Sequence, residues 1–167
     1  MDEKISELIA LIKDAFFAVT LANGISWSEA KVIDEYGSLQ ERKSARDNDE
    51  KNNWNEIPLG LIGDMKYQDV LPFLDARGLT FYLPACMIFT LKNYNKSKSL
   101  ITHSVIYTLT RPTTVNELQG ILNQKQKSCI IKFLSLCLEI GDKYFDLYET
   151  EEKLQKYWIE NATISNN

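Results

Sequence analysis

The stretch Gly78-Leu79-Thr80-Phe81-Tyr82-Leu83-Pro84-Ala85-Cys86-Met87-Ile88-Phe89-Thr90-Leu91 decides the fold, because it is the densest apolar run in the chain. Proline is tolerated at a helix start and resisted inside one, so Pro84 is expected to break the run. That places Phe81 and Tyr82 in an extended segment or turn, and a buried helix from about Pro84 to Tyr94. Upstream, Asp69 to Gly78 reads as another short helix closed by Gly78, and Pro58 opens a helical turn through Leu61 and Ile62. Downstream, residues 95–99 (NKSKS) form a polar linker. Thr102 can cap a short helix through Leu109, although the β-branched residues there also permit a strand in a hairpin near 100–110.

Helical patterning continues outward. Ile5, Leu8, Ile9, Ile12, Ala15, Phe16 and Val19 share one face of a helix expected over 3–19, with Gly24 as its stop. Ser26-Trp27-Ser28-Glu29 is a capping box, with Ile25 placed to staple onto Ala30, and opens a helix ended by Gly37. Residues 38–53 carry only Leu39 and Ala45 as apolar side chains and read as a solvated loop. Arg111-Pro112-Thr113-Thr114 reads as a break. Asn123 caps a strong helix that Gly141 stops, and a last helix spans about 150–161. The sum is an all-α fold, a compact bundle of about five to seven helices. It forms one domain over 1–162, with a frayed tail at 163–167.

The chain has 167 residues, of which 44% are hydrophobic and 25% charged. Those proportions exclude a disordered, collagen-like or coiled-coil rod composition. The net charge is -4, so a whole-chain basic field for nucleic acid is absent. Charge is uneven: residues 92–132 hold seven Lys/Arg against one acid, while 28–56 hold eight acids against five bases. Such asymmetry either solvates a surface or steers a partner. Three cysteines without CxxC spacing argue against a disulfide framework and fit a reducing cytoplasm. No secretion signal or membrane span is read.

The G-x-x-F-Y-L-P-A-x-M segment at Gly78 to Met87 resembles an uncharacterised, largely bacterial family of unknown function. Other landmarks fit in order: Ala15-Phe16, Ala30 and Asp34, Trp54-x-x-Ile57-Pro58, Phe73-Leu74-Asp75, Gln126, Ile130, Phe133-Leu134 and Tyr157-Trp158. In that family the residue after Pro-Ala is often aromatic, and here it is Cys86. The resemblance implies the fold and transfers no functional residue.

Chemistry-bearing residues are few. With His103 alone no multi-histidine metal site forms, and no metal or cofactor is assigned. His103 lacks a G-x-S-x-G partner and reads as a surface or capping side chain. Cys86 lies in apolar surroundings, where a thiol is inert. The remaining polar constellation is Asp34, Glu35, Asp47, Asp49, Asp75 and Arg77, with Asp47 to Glu50 as a candidate interaction segment and a pocket expected where Asp34, Trp54, Asp75 and Tyr82 converge. The sequence therefore reads as a non-catalytic, soluble protein-binding module with a protein partner. One form is an immunity or antitoxin-type protein that covers a basic partner with an acidic face. The alternative is a small enzyme or ligand binder with a carboxylate/Arg pocket.

Overall fold

The computed structural model describes residues 1–160, so the 163–167 tail lies outside it. Among the described residues there are nine α-helices and no strand. They are α1 (Asp2–Ala15), α2 (Trp27–Asp34), α3 (Leu39–Asp47), α4 (Leu59–Ile62), α5 (Ala76–Asn93), α6 (Ile101–Thr110), α7 (Pro112–Ile121), α8 (Gln124–Ile140) and α9 (Thr150–Leu154). A single π-helical turn, Gln155–Ile159, continues α9. The fold is all-α, as the patterning predicts, and the 100–110 segment is helical rather than a hairpin.

The central element is α5, and it overturns the expected break at Pro84. The helix runs through the proline, and every residue from Gly78 to Leu91 is buried. An interior proline costs about 3 kcal/mol by removing a backbone bond and crowding the preceding turn. Each fully buried large apolar side chain returns about 1.5–3 kcal/mol. Phe81, Tyr82, Leu83, Met87 and Leu91 are each at most 1% exposed, so burial wins easily. Packing on α1, α4, α6 and α7 encloses the helix on all sides.

Asp75 sets where α5 starts. Its side chain caps the helix by accepting from Gly78 N at 2.8 Å. Gly78 therefore lies in the first turn of a helix and does not close one. Before it, Leu71–Phe73 form only a 3-10 turn. The break at Arg111 is real, but Pro112 occupies the first position of α7, where its missing N–H costs nothing. Asn123 caps α8 as expected, Gln126 completes a capping box with it, and Gly141 ends that helix with φ 93°.

The largest departure is α3, in the segment read as a loop. Ser38 and Glu41 make a capping box, yet α3 contributes no buried residue. Polar contacts hold it: Arg42 pairs with Glu29 at 3.1 Å, and Arg46 donates to Ala22 O at 2.6 Å and also to Gly24 O. Lys51 Nζ donates to the carbonyls of Arg46, Asp47 and Asp49 and closes the helix end.

Candidate functional site

The sequence-selected residues fall largely at the joints between α2, α3 and α5. Asp75 Oδ1 accepts from Ile25 N at 2.9 Å as well as from Gly78 N, tying the loop before α2 to the start of α5. Tyr82 Oη accepts from Trp27 N at 3.0 Å, and its ring lies 5.2 Å from that of Trp27. Burial pushes the Tyr82 phenol well above its ordinary pKa, so it stays protonated. Asp49 caps α2, accepting from Ser28 N and Ser28 Oγ at 2.8 Å each. Glu50 accepts from the amides of Asn52 and Asn53, and those donors hold its carboxyl below the usual range. Asp34 pairs with Lys31 at 2.9 Å. Asp47 and Arg77 are exposed.

These groups do not share one pocket. Asp75 lines a cavity of 370 Å³, whereas Trp54 lines another of 230 Å³ and donates its indole N–H to Phe16 O at 2.7 Å. Tyr82 points into the core, and Asp34 sits on the far end of α2. Their common work is architectural: Asp49, Glu50 and Asp75 answer backbone N–H groups and Asp34 a neighbouring lysine. The thiols are similarly withdrawn. Cys86, Cys129 and Cys137 are buried and unlinked, and burial raises the pKa of each. Among the described residues no group of three or more His, Cys, Asp or Glu is placed to hold a metal ion. Nor is any helix there long and apolar enough to cross a membrane.

A different feature carries concave, unfilled surface. Three cavities of 430, 340 and 370 Å³ adjoin along the exposed edge of α6. The first two share His103, and the last two share Tyr107. Helical spacing puts His103 and Tyr107 one turn apart, with Arg111 another turn on at the junction with α7. The opposite wall of the 430 and 340 Å³ cavities is the 142–153 segment, whereas the 370 Å³ cavity lies on the other flank of Tyr107, between α7 and residues 71–79. His103 Nδ1 accepts from Asp146 N at 3.2 Å and pins that wall, so a neutral ring carries its hydrogen on Nε2. Asp146 Oδ1 in turn accepts from Tyr148 N at 3.3 Å. Tyr107 is 63% exposed and Tyr148 79% exposed, and both line the middle cavity. At one end Tyr94 packs edge-on against Tyr144, with ring centroids 5.1 Å apart. Sequence reasoning assigned His103 to the surface but left Tyr107 and Tyr148 unremarked. Their signal is weak, because an exposed tyrosine and a core tyrosine look alike until the helix register is known.

Among the described residues, fold and surface together define an all-helical structure around one hydrophobic core, whose polar residues chiefly fasten helices. The chain belongs to a family of unknown function, DUF6714, whose model matches residues 4–162. Neither a curated protein nor a solved structure matches it.

Proposed function

We propose that the chain is a non-catalytic protein-binding module whose contact surface is the furrow along α6. The observation that carries this reading is the pair of exposed tyrosines, Tyr107 and Tyr148, on the shared middle cavity. Tyrosine is enriched where proteins meet, since a rigid ring supplies contact area at low entropic cost. An enzyme reading draws less support. Asp49, Glu50 and Asp75 already accept backbone hydrogens, and the three thiols are buried.

A second surface is favoured by α3, a helix kept in place without burying any of its residues. Just before it Tyr36 is 97% exposed at φ 59°, and its own first residue, Leu39, is 79% exposed. The segment 28–56 around them carries eight acids against five bases. An acidic lobe of this kind suits a basic partner, and an immunity or antitoxin-type protein is its specific form.

Affinity capture of the tagged chain from its native host, read by mass spectrometry, tests both. Capture of one stoichiometric partner that Tyr107→Ala abolishes and Asp47→Lys leaves intact supports the furrow. The reverse pattern transfers the reading to the α2–α3 lobe. Absence of any partner above background refutes the binding module.

A further inference from the structure

We propose that the cavity between α1, α5 and residues 54–59 binds a small organic anion, its apolar body against Trp54 and its one carboxylate or phosphate group between Lys13 and Lys92. The site is separate from the α6 furrow and from the α2–α3 lobe, so it stands whether or not those surfaces take a partner. The cavity measures 230 Å³. Its floor is apolar: Trp54, Ile57, Ala85 and Ile88 line it and are each at most 5% exposed. The Trp54 indole N–H is already given to Phe16 O, so the ring offers a ligand apolar surface and no donor. Ala85, Ile88 and Lys92 recur at helical spacing on α5, so one face of that helix supplies both a wall and a cation. The second cation, Lys13, comes from α1.

Charge selects the ligand. Both lysines are exposed, and neither makes an ion pair among the described residues. The acids closest to the site in sequence are engaged elsewhere: Asp14 pairs with Lys125, and Glu56 accepts from Asn53 Nδ2 at 2.9 Å. The cavities of 430, 370 and 340 Å³ each set a carboxylate beside their cations, whereas no Asp or Glu lines this one. In a chain of net charge -4, such a wall is a local reversal of sign. Two like charges on one rim repel each other, and an anion between them relieves that repulsion. The apolar floor strengthens the attraction, because it keeps water from one side of the pair. Size sets the rest. A water molecule takes about 30 Å³ of liquid, so 230 Å³ holds about eight heavy atoms. A short-chain or single-ring acid fits that space, and a nucleotide does not.

The test titrates the full-length, isotope-labelled chain by NMR with phenylacetate, hexanoate and phenyl phosphate. Acetate, inorganic phosphate and benzyl alcohol are the controls, each lacking either the apolar body or the charge. The Trp54 indole N–H resonance reports on the floor. A Lys13→Gln/Lys92→Gln variant removes the rim charge, and Lys98→Gln/Lys132→Gln removes as much charge outside the cavity. All four side chains are exposed, so both variants should keep the circular dichroism spectrum and urea midpoint, and these are measured first. The expected result is a saturable shift with at least one of the three apolar anions, at a dissociation constant of about 1 mM or tighter. The Lys13/Lys92 variant should weaken that binding at least ten-fold, and the Lys98/Lys132 variant less than two-fold. Tighter binding of phenylacetate or of phenyl phosphate supports the site in either case and identifies its head group. No saturable shift overturns the proposal. So does benzyl alcohol, acetate or inorganic phosphate binding as tightly as the apolar anions, or an equal loss in both double variants.

Discussion

Gly78 stands where two backbones cross with no room to spare, and Gly78→Ala measures that closeness. A Cβ built on Gly78 lies 2.4 Å from Ile25 O and 3.0 Å from Asp75 Oδ1. The obstacle at Ile25 is a backbone carbonyl, not the end of a flexible side chain. It cannot retreat freely, because Ile25 N is bonded to Asp75 Oδ1 at 2.9 Å. Gly24 faces the same junction: a Cβ there would lie 2.6 Å from Gly78 N. Relief therefore requires moving the loop before α2 away from α5. Losing the bond to the Asp75 carboxylate costs about 1.5–3 kcal/mol. Residual overpacking costs about 1–3 kcal/mol. Alanine returns about 1 kcal/mol through its higher helix propensity. The net is a loss of about 3 kcal/mol, within a range of about 1.5–5. At about 2–4 °C per kcal/mol for a chain of this size, the melting temperature should fall by about 6–12 °C. Gly120→Ala supplies the opposite sign in the same experiment. It lies in α7, and nothing stands within 4 Å of its added Cβ, so stability should rise by about 0.5–1 kcal/mol. Urea unfolding followed by circular dichroism reads both. If Gly78→Ala is as stable as Gly120→Ala, the close-approach argument is wrong.

Three further outcomes follow from the same contacts. Arg46→Ala removes the donor to Ala22 O and Gly24 O, so the amides of residues 39–47 should exchange at least ten-fold faster while those of α5 keep their protection; hydrogen exchange read by NMR checks this, and unchanged protection in α3 would sink the polar-clamp account. Ellman's reagent should find no reactive thiol in the native chain and three after denaturation in guanidinium, because burial keeps all three cysteines protonated and shielded; one fast-reacting native thiol would contradict it. Glu50 and Glu41 are held below the ordinary carboxylate range by donors, so their contribution is complete above the unfolded value of about 4.3 and is lost as pH falls through the folded one. The urea midpoint should thus be flat from about pH 7 to 5 and drop below about 4, less steeply in Glu50→Gln than in the wild type; identical slopes would remove Glu50 from the explanation.

The elements legible in sequence are those whose signals are local. Ser26 with Glu29 and Asn123 with Gln126 announce α2 and α8 because a capping box satisfies backbone groups within one turn. The Pro84 rule failed because it weighs only the local loss, whereas α5 is enclosed on all sides and recovers several times that loss through contacts far along the chain. The α3 segment failed in the opposite way. Ser38-x-x-Glu41 is itself a capping box, but a segment with two apolar residues offers no face to bury. Its anchors, Glu29 and the Ala22 and Gly24 carbonyls, lie 13 to 24 residues away. Periodicity cannot register a helix docked by guanidinium groups.

The candidate site was misjudged for a related reason. Carboxylates attract attention because ionised acids can do chemistry, but a helical chain also needs acceptors for the free N–H groups at each helix start. The nine helices among the described residues make many such starts, and Asp49, Asp75 and the carboxylates of Glu29 and Glu41 serve them. Polar side chains used this way are saturated and offer little to a ligand. The α6 furrow differs because Tyr107 and Tyr148 stack on no other ring among the described residues while the wall beside them is fixed. His103 Nδ1 holds Asp146 N, and Asp146 holds Tyr148 N, so the Tyr148 backbone is positioned before anything binds. Preorganisation of that kind lowers the entropy lost on association. It follows that His103→Ala, which leaves Tyr107 and Tyr148 in place, should weaken the Tyr107-dependent partner by slowing its capture or hastening its release. Contact with the two tyrosines alone would leave that variant's affinity unchanged, and surface plasmon resonance with the captured partner separates the two.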